Sequence, residues 1–312
     1  MTQRGAAGSP ACTVAEVGAA GSTRAASRQS YLTIRWLADR ARREDAFAIY
    51  AWFRWLDDLV DEHLPDAEAR LELVARERRV LAGERPADLV PEERLLVHLA
   101  DTAVAAGPDG AGLRQSLTSM LDVMAFDAAR RGRLVGAGEL DTCTRDLAVA
   151  VTEAIHHCIG HGCDSPRDEA RYVAVTGAHV AHMLRDLAED LDAGYCNVPA
   201  ELLAGAAPSF ADLAEPALRA WVRDRVALAR SCFASGRAYL ARVDNARCRL
   251  AGHAYVARFE WVLDAIERDG YRLRAGYPER ATARGGLTIA AGTVRSALRR
   301  PGPADVREGG RG

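Results

Sequence analysis

The sequence Tyr50-Ala-Trp-Phe-Arg54-Trp-Leu-Asp57-Asp58-Leu-Val-Asp61-Glu62, here called the first acidic motif, places carboxylates within an otherwise apolar helical pattern. A second acidic motif, Arg185-Asp186-Leu-Ala-Glu189-Asp190, follows much later in the chain. Asp57 and Asp61 are four residues apart, as are Asp186 and Asp190, so each pair shares one face of a helix. Because buried carboxylates are costly unless cations neutralise them, the two motifs predict facing helices that bind divalent metal ions.

The metal ions would in turn hold a strongly anionic ligand, and a diphosphate fits best. Mg²⁺ prefers oxygen ligands and bridges carboxylates to phosphate oxygens. We expect Asp58 and Glu189 to support the four metal-binding aspartates, and Arg54 and Arg185 to contact the diphosphate or orient the carboxylates. The alternative is a solvated acidic face on a surface helix. That alternative suits Glu62, near a helix end, but not the central aspartates among aromatic and aliphatic neighbours.

The composition sets limits on the class of protein. The chain has 312 residues, 49% hydrophobic and 27% charged, as is usual for a soluble globular protein, and its net charge of -2 argues against nucleic-acid binding. All 41 basic residues are arginines, which excludes Schiff-base and phosphate-loop lysines. Seven scattered cysteines indicate reduced thiols. No apolar run reaches the roughly 18 residues that span a bilayer, so we expect a cytoplasmic protein with at most peripheral membrane contact.

The apolar spacing is helical almost throughout the middle of the chain and predicts one all-α bundle with a central cavity. Residues 1–26 and 283–312 are rich in small residues or in Gly and Pro, and we interpret them as flexible tails around a single domain, 27–282. Helices are predicted over about 28–41, 44–63, 66–82, 91–106, 110–130, 138–158, 166–192, 198–204, 209–241 and 246–269.

Over residues 27 to 270 the chain resembles the squalene/phytoene synthase family. The resemblance rests on the two acidic motifs in their order and spacing, followed by Gly194 and Pro199. Ser30-Tyr31 is similar to the family's pair at the diphosphate end, and Asp127 falls where the family has a mid-chain acidic residue. The resemblance implies an all-α isoprenoid-synthase fold and a Mg²⁺-dependent reaction on a prenyl diphosphate, with Ser30 and Tyr31 among the diphosphate-binding residues.

The chain departs from the family pattern around the second motif. His179 and His182 stand where the family usually has Gln and Asn, and Tyr195-Cys-Asn197-Val-Pro199 stands where it has Arg-x-Tyr-x-Pro. The family's Val-Ala-Gly-x-Val-Gly corresponds here to Leu147–Thr152, without the two glycines. The metal-binding residues are thus kept, while the surroundings of the second substrate are altered. The residues expected to line the altered cavity are Val149, Thr152, Tyr195 and Asn197.

The two histidines suggest a catalytic hypothesis. His179, His182, Asp186 and Asp190 fall on one helical face. Some members of the wider family transfer a short prenyl group to an aromatic acceptor, and attack of an aromatic ring on an allylic cation releases a proton. A neutral histidine could accept it, so His179, His182 and Asp186 are the predicted catalytic residues. The alternative is that each histidine is buried and hydrogen-bonded to a backbone carbonyl or a neighbouring carboxylate.

His156-His157-Cys158-Ile-Gly-His161-Gly-Cys163 is a second cluster of possible metal ligands. His157 and His161 are four residues apart, as zinc ligands on a helix can be. The glycines end the helix, however, and the segment contains no Cys-x-x-Cys pair, so we expect a helix end with one histidine in the cavity rather than a zinc site.

Together these observations predict a Mg²⁺-dependent prenyltransferase of secondary metabolism. It would ionise an allylic prenyl diphosphate and transfer the prenyl group to a small-molecule acceptor that is not a diphosphate, with an aromatic acceptor as the preferred kind. Three alternatives stay open: head-to-head synthesis of phytoene or squalene, terpene cyclisation, and a non-catalytic helical protein that binds or assembles. Retention of every motif carboxylate counts against the last alternative.

Overall fold

The computed structural model describes residues 14–163, 165–203 and 205–277, which form ten α-helices and no β-strand. The helices are α1 (Val14–Ala26), α2 (Arg28–Leu37), α3 (Arg43–Asp58), α4 (Ala67–Ala82), α5 (Pro91–Ala105), α6 (Ala111–Arg130), α7 (Ala137–Cys158), α8 (Ala170–Asp192), α9 (Pro216–Leu240) and α10 (Ala246–Arg268). Short 3₁₀ turns lie at Arg40–Arg42, Gly107–Gly110, Ala200–Leu202 and Phe210–Ala214. The bundle therefore has the all-α class that the helical spacing predicts.

The chain ends differ in part from the expected tails. Val14–Ala26, within the tail predicted over 1–26, forms α1, with a non-helical backbone at Gly18. Its small residues carry no clear periodicity, and α1 is held by packing against α3 rather than by intrinsic propensity. The tail predicted over 283–312 lies outside the described residues. Among the residues that are described, no helix is long and apolar enough to cross a membrane.

Two main hydrophobic cores hold the bundle together. The first joins α3 to α7 around Trp52, Leu99 and Leu121, and the second joins α8, α9 and α10 around Phe233 and Leu263. All five side chains are almost completely buried, and each such burial contributes roughly 1.5–3 kcal/mol. The first motif lies against the first core and the second motif against the second core. The two cores therefore fix the helices that carry the acidic residues.

Two glycines bring α8 and α9 into close contact. A Cβ atom on Gly177 of α8 would lie 2.8 Å from the Cβ atom of Cys232, and a Cβ atom on Gly236 of α9 would lie 2.6 Å from that of Ala174. Only residues without a side chain fit at these two positions without a shift of the neighbouring helix. The close contact anchors α8, whose last turns contain the second motif.

The first motif ends in an unusually wide turn. After α3 the chain makes a π-helical turn over Leu59–His63, in which the Leu64 N–H donates to the Leu59 carbonyl at 3.1 Å. Asp61 lies within this turn, so its side chain is not in the register that a continuing α-helix would give it. The wide turn therefore decides which neighbours Asp61 meets.

Candidate active site

The first motif places two carboxylates around one arginine. Arg54 Nη1 donates to Asp57 Oδ2 at 3.2 Å, and Arg54 also pairs with Asp58. The Asp57 side chain is 25% exposed, whereas Asp61 and Glu62 in the following turn are exposed. Arg54 therefore orients Asp57 and Asp58, the second of the two roles expected for it.

The second motif has the reverse arrangement on α8, with two basic side chains around one carboxylate. Arg185 donates to both carboxylate oxygens of Asp186, with 2.5 Å between Nε and Oδ1, and His182 Nε2 lies 2.7 Å from Asp186 Oδ2. Asp190 lies one turn further along α8, and Glu189 is exposed. Asp186 is thus fully engaged by two side chains of its own helix.

The segment after α8 connects the two motifs. Tyr195 Oη donates to Asp61 Oδ1 at 3.0 Å, and Asn197 Nδ2 donates to Asp190 Oδ2 at 2.6 Å. Tyr195 and Asn197, both predicted to line the cavity, are buried, with 6% and 4% exposure. Their polar groups bind one aspartate of each motif.

Helix α6 adds an acid and a base to the same cluster. Arg130 Nε donates to Asp127 Oδ1 at 2.6 Å, and Arg130 Nη1 donates to Asn197 Oδ1 at 2.9 Å. Asp127 has the position that the family resemblance predicts, whereas the sequence analysis did not select Arg130. The run Arg130-Arg131-Gly132-Arg133 resembles a solvated helix end, and only its proximity to Asp127 on the helix could have indicated a buried role.

The carboxylates of this cluster outnumber the basic groups around them. Three of them therefore have raised pKa values. Burial and the negative charge of Asp61 raise the pKa of Asp57 to about 7, against the effect of Arg54. Burial and the charge of Asp186 raise the pKa of Asp190 to about 7. Burial also raises the pKa of Asp127, although Arg130 opposes the shift. By contrast, hydrogen bonds from Arg185 and His182 overcome burial and lower the pKa of Asp186.

The helix ends strengthen this negative potential. Asp57, Asp127 and Asp190 lie in the last turns of α3, α6 and α8, where the helix macrodipole carries partial negative charge. These ends meet at one place, because Arg130 of α6 binds Asn197, which binds Asp190 of α8, and the adjacent Tyr195 binds Asp61 in the turn after α3. A site of this kind favours cations.

The donor set fits Mg²⁺ bound together with a phosphate ligand. Within residues 14–163, 165–203 and 205–277, no three His, Cys, Asp or Glu side chains form a group that could hold a metal ion. Mg²⁺ rarely needs such a group, because it keeps several waters and shares one or two carboxylates with substrate phosphates. The partly buried and incompletely neutralised carboxylates of Asp57 and Asp190 suit that kind of binding, and the exposed Asp61 and the partly buried Asp186 lie beside them.

The two predicted catalytic histidines have different surroundings. Burial and the nearby His182 lower the pKa of His179 to about 3, so its ring is neutral. Nδ1 of His179 is buried and has no hydrogen-bond partner among the described residues. His182 is 48% exposed, bonds to Asp186, and lies with its ring 6.2 Å from that of Phe259. Of the two histidines, His179 therefore has a ring nitrogen that no described residue binds, whereas His182 is held by Asp186.

The other predicted residues that the structure describes have different neighbours. Tyr31 stacks on Phe47 with 5.6 Å between ring centroids, and the side chain of Ser30 lies outside the described part of the chain. Val149 and Thr152 are buried on α7. The Thr152 hydroxyl is buried, with no hydrogen-bond partner among the described residues.

The histidines of the second cluster have other partners. His157 Nε2 lies 3.1 Å from Asp45 Oδ2, and His161 Nε2 lies 2.9 Å from Arg42 Nη2. His156 lies 3.1 Å from the hydroxyl of Tyr239. These contacts hold the end of α7 against α3 and α9.

A cavity lies beside the second motif, between α7, α8 and α9. Its polar wall is formed by Asn197, Arg225 and Asp141, and its apolar wall includes Met183 and Trp221. Asn197 also binds Asp190, so this one side chain separates the cavity from the acidic cluster.

With the site described, comparison with known proteins identifies the family. A model of the squalene/phytoene synthase family matches residues 23–284, so the chain belongs to this family. Its members are isoprenoid synthases that process prenyl diphosphates and generally depend on divalent metal ions. The resemblance recognised in the sequence is therefore confirmed, and the chain is placed among the transferases of isoprenoid biosynthesis.

Solved structures establish the shared fold. Squalene synthase HpnC from Alicyclobacillus acidocaldarius is 24% identical, with 81% of this chain and 92% of that chain covered and a TM-score of 0.62. A dehydrosqualene synthase solved in complex with a ligand is 17% identical, with coverage of 89% and 94% and a TM-score of 0.64. No protein of curated function matches the chain in sequence. The predicted all-α isoprenoid-synthase fold is thereby confirmed.

Proposed function

We propose that the protein is a Mg²⁺-dependent prenyltransferase that ionises an allylic prenyl diphosphate and passes the prenyl group to a small-molecule acceptor. The observation that supports this most is the meeting of both acidic motifs at three helix ends, where Asp57 and Asp190 lack full neutralisation. Such a site favours cations, and the cations a diphosphate.

The proposed roles follow from the contacts of each residue. Asp57, Asp61, Asp186 and Asp190 would hold Mg²⁺, which when bound would neutralise the leaving diphosphate. Asp58 and Glu189 support these acids. Arg54 and Arg185 hold Asp57 and Asp186 in place through their hydrogen bonds. Ser30 and Tyr31 are proposed for the diphosphate end on the family resemblance alone.

The acceptor is proposed to be an aromatic molecule. When the allylic C–O bond breaks, diphosphate leaves with the electron pair, and a ring carbon of the acceptor forms the new C–C bond. The proton on that carbon must then leave, and Nδ1 of the neutral His179 is free to take it, since no described residue binds it. Val149 and Thr152, both buried on α7, are proposed to line the binding site of the acceptor.

A second candidate is head-to-head condensation of two prenyl diphosphates to phytoene or squalene. Membership in the squalene/phytoene synthase family favours it. The loss of the post-motif Arg and of two glycines favours the acceptor reaction instead. A cyclase would need donor but no acceptor, which an assay can distinguish.

The test is diphosphate release with Mg²⁺ and allylic diphosphates of increasing length, each with and without a pool of small aromatic acceptors. We expect release from a short donor only when an acceptor is present. Release from a long donor alone, with a coupled hydrocarbon as product, would establish head-to-head synthesis. Absence of Mg²⁺-dependent diphosphate binding in calorimetry would instead indicate a non-catalytic protein.

We also propose a cytoplasmic location and a single domain over 27–282. The thiols of Cys143, Cys158, Cys163, Cys196, Cys232 and Cys248 are free, which suits a reducing compartment. Fractionation of the native host, with the protein detected in cytosolic and membrane fractions, would test the location.

A further inference from the structure

Arg130 of α6 contacts the segment after α8, in which the family's arginine is missing. Where the family has Arg-x-Tyr-x-Pro after the second motif, this chain has Tyr195-Cys-Asn197-Val-Pro199. The guanidinium carbon of Arg130 lies 4.9 Å from the ring centroid of Tyr195, and Nη1 binds Asn197. A guanidinium from α6 thus contacts the two residues that replace the family's Arg and Tyr.

The two neighbouring arginines are exposed, although the guanidinium carbon of Arg131 also lies 5.9 Å from the ring centroid of Tyr195. Arg131 is exposed and donates to the backbone carbonyls of Ala193 and Asp61, while Arg133 pairs with Glu139 on the surface. Arg130 is only 12% exposed, and its ring contacts include Phe126 at 5.1 Å. Burying a guanidinium is costly, so its position requires partners that compensate for the loss of water.

Those partners connect Arg130 to both acidic motifs. Its Nε binds Asp127, and its Nη1 binds the oxygen of Asn197, whose amide donates to Asp190. Its flat face lies against Tyr195, whose hydroxyl donates to Asp61. One planar, permanently charged group therefore fixes the side chains that hold one aspartate of each motif.

We infer that Arg130 is a positioning residue that takes over from the arginine absent at position 195. It sets the places of Asp61 and Asp190 relative to each other through Tyr195 and Asn197, and its charge partly balances the cluster before ligand binds. This inference rests on the proposed diphosphate-binding function. In this chain the supporting guanidinium comes from Arg130 at the end of α6 and not from the segment after α8.

The test measures binding of inorganic diphosphate in the presence of Mg²⁺ by calorimetry, with melting temperature recorded for each variant. We expect Arg130→Ala and the polar variant Arg130→Gln to weaken binding by about 10- to 100-fold, as loss of groups that orient metal ligands does. Arg130→Lys should recover little, because an ammonium cannot reproduce the planar fork. The matched control, Arg133→Ala, should bind like the wild type.

The decisive variant returns the guanidinium to its family position. Tyr195→Arg in the Arg130→Ala background should bind diphosphate at least several-fold more tightly than Arg130→Ala alone. Wild-type affinity in folded Arg130→Gln, or a double variant no better than Arg130→Ala, would overturn the inference while leaving the proposed function standing. Failure of the wild type itself to bind Mg²⁺ and diphosphate would reject the proposed function.

Discussion

At the end of the bundle where α3 and α8 begin and α7 finishes, buried carboxylates have close basic partners. Asp45 lies 3.0 Å from His98 and 3.1 Å from His157, and Glu153 receives two hydrogen bonds from Arg171, at 2.6 and 2.9 Å. Although burial opposes it, these hydrogen bonds lower the pKa of both Asp45 and Glu153. We call this the paired end.

At the opposite end, where α3, α6 and α8 finish, the balance is reversed. Burial and like charges raise the pKa of Asp57 and of Asp190 to about 7, and Arg54 and Arg130 compensate only in part. We call this the acidic end. Carboxylates that are paired with basic side chains stabilise the fold. Carboxylates without full pairing can still bind cations, at some cost in stability.

The largest expected effect is on turnover, at the acidic end. Asp190→Asn removes a metal ligand and should lower diphosphate release by at least about 100-fold. The same change removes a repelling buried charge, so the melting temperature should rise. Release assays with the donor that the wild type uses best, and thermal melts, measure both. Asp192→Asn, exposed at the end of α8, is the control. Wild-type turnover in Asp190→Asn would contradict the proposal that the acidic end binds the metal ions.

The next largest effect is on stability, at the paired end. Arg171→Met leaves Glu153 buried without its guanidinium and should cost about 3–5 kcal/mol of unfolding free energy. Adding Glu153→Gln should recover much of this loss, because the unpaired charge is gone. Urea unfolding gives the values. If Arg171→Met kept its stability but lost affinity for Mg²⁺ and diphosphate, the paired end would have a binding role that we do not expect.

Ligand binding should stabilise the protein through the acidic end. Mg²⁺ with inorganic diphosphate at about 100 times the dissociation constant should add about 2.7 kcal/mol to the unfolding free energy. Asp57→Asn should abolish most of this gain, whereas Asp45→Asn, at the paired end, should keep it. Thermal melts with and without both ligands provide the comparison. An equal stabilisation by ligand in the two variants would argue against binding at the acidic end.

The smallest effect concerns a carboxyl group that belongs to neither end. Glu77 is fully buried, and its Oε2 accepts a hydrogen bond from the Trp52 indole at 2.8 Å. Burial raises the pKa of Glu77 to about 7, against the effect of Trp52 and with a further contribution from Glu93. The folded state therefore holds a proton that the unfolded state releases near pH 4.5.

The sign of the pH dependence follows from that difference. Stability from Glu77 is fully present below about pH 4.5 and is lost as the pH rises through about 7. Glu77→Gln removes the dependence, so from pH 5 to pH 8 it should gain about 2.5 kcal/mol of unfolding free energy relative to the wild type. Melts across this range measure the gain, and a constant difference between the two proteins would show that Glu77 does not titrate there.

The fold was largely predictable from the sequence, because amphipathic spacing and helix breakers are local signals. The helix expected over 44–63 is found as α3 followed by the turn at Leu59–His63, and that expected over 246–269 as α10. Helix α1 was missed, since its small residues gain order from contact with α3 rather than from their own pattern.

The sequence predicted the site residues only where charged or unusual side chains stand in an apolar or otherwise typical segment. Aspartates in apolar helices stood out, and so did the altered Tyr195 and Asn197. Arg130 did not stand out, because nothing in the local sequence distinguishes it as buried from the two nearby arginines at the same helix end. Packing of α6 against the segment after α8 decides which guanidinium turns inward, and that contact joins distant parts of the chain.

The wide turn at Leu59–His63 also limits which insertions and deletions the sequence can accept during evolution. A π-helical turn contains one residue more than the α-helical turn it replaces. Deleting a single residue there would rewind the segment and carry Asp61 about 100° around the helix axis, away from Tyr195. A point substitution in this segment changes one side chain, whereas a change of length would alter the direction of every following side chain at once.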